Sequence, residues 1–306
     1  MKKYCILAIL CCFSYLAAAQ TPVEKGLESI NRASAEAYIG FLAHDELQGR
    51  EAGYHGSKVA AQYIASLLQA MGVQPDSIAL FSKEVHQKLP MTNVLGIIPG
   101  KNVNEYAIIG AHFDHLGIDP ALDGDQIYNG ADDNASGVSA VLQIAKAFIA
   151  SGKQPERNII FAFWDGEEKG LLGSKFFVQT CPFISQVKGY LNFDMIGRNN
   201  KPQQPMHVVY FYTEANAAFG KWLKEDIKKY NLRLEPDYRP WDNPIGGSDN
   251  GSFAKAGVPI IWYHTDGHPD YHQPSDHADR LNWEKIVEIT RASFLNAWNL
   301  ANEKEY

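Results

Sequence analysis

Apolar residues recur along the chain in two alternating patterns. Short runs rich in β-branched and aromatic residues predict strands at residues 92–98, 106–111, 157–163, 190–193, 206–212 and 258–263. Apolar residues at helical spacing predict helices at residues 21–43, 57–71, 138–150, 214–230 and 282–302. Strands that alternate with helices are typical of an α/β fold. We expect one three-layer domain over residues 21–306, with a mostly parallel mixed sheet flanked by helices.

Polar stretches separate these elements. Residues 44–53 and 236–252 predict a glycine-punctuated loop and a long irregular segment. The turn at 164–170 follows the strand at 157–163 and carries two adjacent carboxylates, Glu167 and Glu168. Taken alone, such a pair is most often a solvated acidic turn. Open α/β sheets bind their ligands at the carboxyl ends of strands, however, so this turn is also the first candidate for a functional site.

Side chains of the kind that bind metals recur after the other strands. These residues are His112, Asp114, Asp132, Asp133, Asp194, His272 and Asp276. Each group is weak evidence alone, but together they follow the edge at which an α/β sheet builds its site. Imidazole and carboxylate side chains together suit Zn²⁺, and there are enough carboxylates for two ions to share one. A glutamate beside a ligating glutamate can then serve as general base.

The amino terminus has the features of a secretory signal peptide over residues 1–20. Lys2 and Lys3 precede a mostly apolar stretch at 4–16, and three alanines at 17–19 supply a cleavage site. We therefore expect an exported protein, periplasmic or secreted. Loss of Lys2 and Lys3 takes the formal charge from -7 to -9, which argues against nucleic acid or an anionic membrane as partner. Cys181 is the one cysteine left, so no internal disulfide is expected.

Five motifs occur in an order that resembles the M28 family of zinc exopeptidases. They are GAHFD at 110–114, GADDNASG at 130–137, WDGEEKG at 164–170, NFDMIG at 192–197 and YHQPSD at 271–276. The resemblance runs from Leu47 to the C-terminus and is greatest to single-domain secreted bacterial aminopeptidases. Too few residues separate Val94 from Ile108 for the protease-associated domain that many larger relatives insert there. The resemblance therefore implies one peptidase domain with a fairly open site.

The resemblance also implies a ligand set for two zinc ions. His112 and Asp194 would bind one zinc, and Glu168 and His272 would bind the other. Asp133 would bridge the two ions. The substrate would be a peptide with a free N-terminus; no feature of the sequence sets the oligomeric state or the preferred first residue.

Further roles are implied for residues around these ligands. Glu167 would take a proton from the attacking water and pass it to the leaving amine. Tyr271 resembles the phenol that steadies the tetrahedral oxyanion in some members. Asp114 and Asp276 would orient the two histidine ligands. The peptide bond after Asp133 is often cis in this family, and we expect the same here.

The remaining polar residues have more ordinary interpretations. Asp132 is expected to be a loop or helix-capping residue, and His115 a bystander. His264 and His268 precede His272 at a spacing typical of ligands on one helix face. The intervening glycine and proline exclude such a helix, so only His272 is expected to bind metal.

Three alternatives to an aminopeptidase stay open. The same scaffold hosts glutaminyl cyclases, which use one zinc. It also hosts carboxypeptidases and other amide hydrolases; a carboxypeptidase needs a cationic clamp, for which Arg198 and Arg239 are candidates. A non-catalytic binding module is the third alternative, but such modules usually lose ligands, and every ligand type is present here.

Overall fold

The computed structural model describes residues 20–81, 90–216, 218–241 and 247–303. The predicted signal peptide at 1–20 lies outside the described residues except for Gln20. The helices are α1 Pro22–Ser29, α2 Arg32–Leu42, α3 His55–Ala70, α4 Gly137–Ser151, α5 Leu172–Thr180, α6 Ala218–Lys229, α7 Asn250–Lys255 and α8 Trp283–Asn302. The strands are β1 Gln74–Phe81, β2 Pro90–Ile98, β3 Asn102–His112, β4 Gly117–Ile118, β5 Ile127–Tyr128, β6 Arg157–Trp164, β7 Val187–Phe193, β8 His207–Tyr212, β9 Glu235–Pro240 and β10 Ile260–His264.

Eight strands form one mixed sheet in the order β1-β2-β6-β3-β7-β10-β8-β9. The four central strands, β6, β3, β7 and β10, run parallel. Antiparallel pairing joins β1 to β2, β2 to β6 and β8 to β10. The mostly parallel mixed sheet predicted from the alternating pattern is confirmed.

Helices cover both faces of this sheet, because its central strands are apolar on both sides. In β6, Phe161 and Phe163 belong to a buried cluster with α2, α3, α4 and α8, whereas Ile160 and Trp164 belong to a second cluster with α5 and α7. Side chains alternate between the faces of a strand, so a strand buried on both faces reads as a continuous apolar run. No helix among the described residues is long and apolar enough to cross a bilayer.

Most predicted elements are present with shifted ends, but the helix predicted at 21–43 is divided into α1 and α2. A second interpretation was wrong. Residues 236–252 were expected to be irregular, but β9 and α7 enter this stretch. Strand β9 pairs with β8 alone, at the edge of the sheet, and has a proline at position 236 and another at 240. An edge strand tolerates proline and polar side chains, so it lacks the apolar pattern that reveals a central strand.

Parallel pairing of the central strands brings their carboxyl ends together. His112 ends β3 directly opposite Trp164, the last residue of β6. Gly110 of β3 lies opposite Asn192 of β7, so Asp194 follows beside His112. The register thus places three of the five motifs at one point of the sheet edge before any side chain is considered.

Candidate metal centre

Two buried carboxylates surround the imidazole of His112. Its Nε2 atom lies 3.3 Å from Oδ1 of Asp133 and 3.6 Å from Oδ1 of Asp194. All three residues are buried, and one donor atom from each lies within 4.8 Å of the others. These three side chains can hold one metal ion.

The other oxygen of Asp133 belongs to a second group. Asp133 Oδ2 lies 3.2 Å from His272 Nε2, which is also 3.2 Å from Oε2 of Glu168. Tetrahedral zinc with bonds of about 2.0–2.1 Å places its ligand atoms roughly 3.3 Å apart. The four spacings agree with that value to within a few tenths of an ångström. Both groups therefore have spacings compatible with metal binding, and Asp133 belongs to each of them.

Glu167 lies next to both groups, although none of the four spacings above involves it. One donor atom each from Glu167, His112 and Glu168 lie within 4.8 Å of one another. Burial raises the pKa of Glu167 to about 10, with His112 opposing the rise and the carboxylates of Asp249 and Asp194 adding to it. A bound dication would also oppose this rise, because a nearby positive charge favours the ionised carboxylate.

The turn that carries Glu167 and Glu168 is held by Asp114. The Asp114 carboxylate accepts hydrogen bonds from the amides of Glu167, at 3.0 Å, and Glu168, at 3.2 Å. His112 was expected to be oriented by this carboxylate, but its Nδ1 lies 3.7 Å from Oδ1 and 3.2 Å from the Asp114 carbonyl oxygen. The Asp114 carbonyl is therefore the nearer partner of His112, while the Asp114 carboxylate lies within ion-pair distance of His112 and also holds the turn.

Asp276 has a different contact from the one expected. Its carboxylate accepts hydrogen bonds from the amides of Asp132 and Asp133, at 3.0 to 3.1 Å. We expected it to orient His272. It instead holds the loop that presents Asp133, because two adjacent amides of that loop point at the carboxylate. The Asp133-Asn134 peptide in this loop is cis, as the resemblance implied.

The expectation that His115 is a bystander is wrong. Its Nδ1 atom lies 2.8 Å from Oε1 of Glu168, and the side chain is buried. Asp132 is more than a loop residue: its carboxylate accepts a hydrogen bond from the amide of Gly197 and lies 3.2 Å from Nε2 of His268. The sequence could not show these partners, since each lies far away along the chain.

Arg50 is another residue of the site region that the sequence did not reveal. It is 1% exposed, and its guanidinium donates hydrogen bonds to the carbonyls of Leu42, Phe113, Asn129 and Gly130. Burial lowers its pKa to about 10, while four carboxylates of the site oppose that change. Arg50 therefore stays charged at neutral pH and ties together the segments around the metal ligands. In the sequence it stands within an ordinary polar loop, which carries no sign of burial.

A cleft of about 260 Å³ opens over these side chains. Met195, Trp262 and His264 line it beside the candidate ligands. Tyr271 also lines it and stacks on His272, with ring centroids 3.9 Å apart. The cleft therefore combines an acidic, metal-binding floor with a partly apolar wall.

The two arginines proposed as a carboxylate clamp are both engaged in ion pairs. Arg198 lies 2.6 Å from Asp270. Arg239 lies 2.6 Å from Asp237 and 2.9 Å from Asp266. Neither arginine lines the cleft.

A sequence model of peptidase family M28 matches residues 93–296, which include all the candidate ligands. The chain belongs to peptidase family M28. It is 29% identical to leupeptin-inactivating enzyme 1 of Streptomyces exfoliatus, over 83% of this chain and 52% of the relative. It is 30% identical to leucine aminopeptidase 2 of Trichophyton rubrum, over 78% of this chain and 49% of the relative. The chain thus spans about half the length of these two relatives.

Solved structures share the fold of this M28 chain. LapA aminopeptidase of Legionella pneumophila superimposes with a TM-score of 0.75 at 26% identity, over 92% of this chain and 75% of that one. Glutaminyl cyclase of Porphyromonas gingivalis superimposes with a TM-score of 0.71 at 16% identity, over 87% of this chain and 97% of that one. Two different activities therefore occur on this fold, and the side chains of the site must distinguish between them.

Proposed function

We propose that this M28 chain is a two-zinc aminopeptidase that removes the N-terminal residue of peptides. One observation carries the proposal: Asp133 divides its two oxygens between His112 and His272. Each histidine then has a second carboxylate at ligand spacing, from Asp194 or from Glu168. The aminopeptidase names of several relatives support the same activity.

The protein would hold the metals with five side chains. His112 and Asp194 would bind one zinc, Glu168 and His272 the other, and Asp133 would bridge them. Zinc bound there would supply Lewis-acid activation of water and of the peptide carbonyl.

Glu167 would move the proton in this reaction. Its carboxylate accepts a proton from the water that attacks the carbonyl carbon. The C–N bond then breaks, the water oxygen stays on the new carboxylate, and Glu167 delivers the proton to the departing amine nitrogen. The Tyr271 hydroxyl would donate a hydrogen bond to the oxyanion. Burial and the surrounding carboxylates raise the pKa of Tyr271, so its hydroxyl stays protonated at neutral pH and can donate this hydrogen bond.

The substrate would be a peptide with a free N-terminus and an apolar first residue. Met195 and Trp262 supply an apolar wall beside the metal groups. A carboxypeptidase would need a cation in the cleft to bind the substrate carboxylate, whereas Arg198 and Arg239 pair with aspartates and do not line the cleft. This favours recognition of the amino end.

The exported location is part of the same proposal. Lys2 and Lys3, the apolar stretch at 4–16 and the alanines at 17–19 support removal of residues 1–20 during export to the periplasm or medium. N-terminal sequencing of the exported protein tests the cleavage position; an intact Met1 in that protein would contradict it.

The decisive experiment compares leucyl anilide with N-acetyl-leucyl anilide, using zinc-loaded protein. We expect cleavage of the free-amine compound alone. Glu167→Gln should keep both zinc ions but lower kcat by about 10²–10⁴, the usual contribution of a general base. Glu51→Gln is the matched control, because Glu51 pairs with Lys169 outside the candidate ligand groups, and it should retain activity.

Three outcomes would overturn the proposal. Normal turnover in Glu167→Gln would exclude Glu167 as the base. Cleavage of neither anilide would favour the cyclase activity, which cyclisation of a peptide with N-terminal glutamine would then reveal. Cleavage of the acetylated compound would indicate another amide hydrolase.

A further inference from the structure

The two oxygens of Glu168 face different imidazoles. Oε2 lies 3.2 Å from Nε2 of His272, and Oε1 lies 2.8 Å from Nδ1 of His115. His115 is fully buried, whereas the side chain of His272 is about one third exposed. Glu168 therefore contacts a buried histidine through Oε1 and a histidine that lines the cleft through Oε2.

The distances separate a ligand from a hydrogen-bond donor. His272 Nε2 is 3.2 Å from both Glu168 and Asp133, close to the roughly 3.3 Å expected between two ligands of tetrahedral zinc. His115 Nδ1 is 2.8 Å from Glu168, which is a hydrogen-bond distance, and 3.9 Å from Asp133, which is longer than the 3.2 Å of His272. The donor atoms of His115, Asp133 and Glu168 still lie within 4.8 Å of one another, so the test below must separate a donor from a direct ligand. The more even spacing of His272 favours it as the ligand, and the short contact of His115 favours a donor to a ligand.

The His115 ring is fixed in this orientation by its surroundings. Its backbone amide donates to the carbonyl of Arg50 at 3.2 Å, and Tyr128 contacts the ring edge-on. A Cβ atom at position 130 would lie 2.5 Å from the ring, so only Gly130 leaves room for it. Nε2 is buried and has no hydrogen-bond partner among the described residues. His115 therefore acts through Nδ1.

We propose that His115 is a positioning residue for the second metal. By donating to Oε1, Nδ1 leaves Oε2 as the single oxygen that Glu168 offers to zinc. A carboxylate that binds through both oxygens would fill one more of zinc's usual four positions. Partners that hold ligating carboxylates in this way commonly contribute 10- to 100-fold to metal affinity. This inference rests on the proposed two-zinc function.

The test is a calorimetric titration of zinc-free protein with Zn²⁺. The wild-type protein should bind two ions. In His115→Ala we expect the second ion to bind about 10- to 100-fold more weakly and the first ion to bind as before. His115→Asn should restore the second affinity, because the Asn Nδ2 atom replaces the His Nδ1 donor, whereas His115→Gln should not. His277→Ala is the control, since the exposed His277 side chain pairs with Asp125, away from the candidate ligands.

Three results would overturn the inference. Unchanged second-site affinity in His115→Ala would show that the hydrogen bond does not position Glu168. If His115→Asn binds the second zinc ion as weakly as His115→Ala, and both variants melt at the wild-type temperature, the imidazole itself is required, as for a direct ligand. A wild-type protein that binds one zinc would refute the two-zinc function, and this is seen before any variant is measured.

Discussion

Arg50 provides the sharpest test of how the fold supports the site. Its buried guanidinium donates to four carbonyl oxygens at 2.5 to 2.9 Å. Arg50→Met keeps a long side chain but removes the charge and all the donors. Four carbonyls would then lose hydrogen bonds, and the carboxylates of the site would lose their buried counter-charge.

The expected loss of stability follows from these contacts. Hydrogen bonds from a charged donor contribute about 1.5–3 kcal/mol each, though not additively. Relief of the cost of burying the guanidinium offsets part of the sum, and breaking comparable buried networks costs about 3–5 kcal/mol. We expect that range for Arg50→Met, or a melting temperature lower by roughly 6–20 °C. Arg50→Lys should be intermediate, because one ammonium group cannot reach four carbonyls.

Urea unfolding of zinc-free protein measures this difference. Arg32→Met is the matched control, because the Arg32 side chain is 65% exposed and pairs with Glu36 on the surface of α2. Exposed pairs of this kind contribute about 0.3–0.5 kcal/mol. A free energy of unfolding for Arg50→Met within about 1 kcal/mol of the wild type would refute this account of the contacts, as it falls below the range for a buried network. Wild-type stability in Arg50→Lys would show that the several N–H donors of the guanidinium are not required.

Two further predictions concern the loop that carries His272. Burial opposes ionisation of Asp270, but hydrogen bonds from Ser275 and Arg198 lower its pKa from an ordinary 3.8 to about 2. Discounted for solvent screening, this shift corresponds to about 1 kcal/mol. A lowered pKa stabilises the fold above about pH 4, and that effect is lost as the pH falls through about 2. Asp270→Asn should therefore melt roughly 2–4 °C below the wild type at pH 7 and approach it in acid; equal melting at pH 7 would contradict this. Tyr271→Phe should lower kcat about 10²–10³-fold with zinc binding unchanged, because the variant lacks the hydroxyl that contacts the oxyanion. An unaltered kcat in steady-state kinetics would show that the hydroxyl does not stabilise the oxyanion.

Local patterns were enough to predict the central sheet. The run at 157–163 is apolar on both faces because the strand is buried between two helix layers. The turn directly after it is polar because it lies at the edge of the sheet. Strand β9 was missed because an edge strand has no such requirement. The candidate ligands were predicted by their motifs, since each motif is a short segment at the end of one strand.

Partners across the sheet edge could not be predicted in the same way. Asp276 was expected to contact His272, four residues away, but it holds amides 143 and 144 residues away. The same reason hid His115, whose hydrogen bond to Glu168 spans 53 residues. Sequence spacing constrains contacts within one turn, whereas a buried carboxylate takes whichever donors the packed loops bring to it.

Periodicity and short motifs are local properties of the chain, and they were enough to establish the α/β class, the M28 family and the set of side chains able to bind metal. Folding fixes which oxygen of Asp133 faces which histidine, which nitrogen contacts Glu168, and the burial of Arg50. These depend on the register of parallel strands and on loops that meet at one edge, where distances of a few tenths of an ångström separate a ligand from a hydrogen bond.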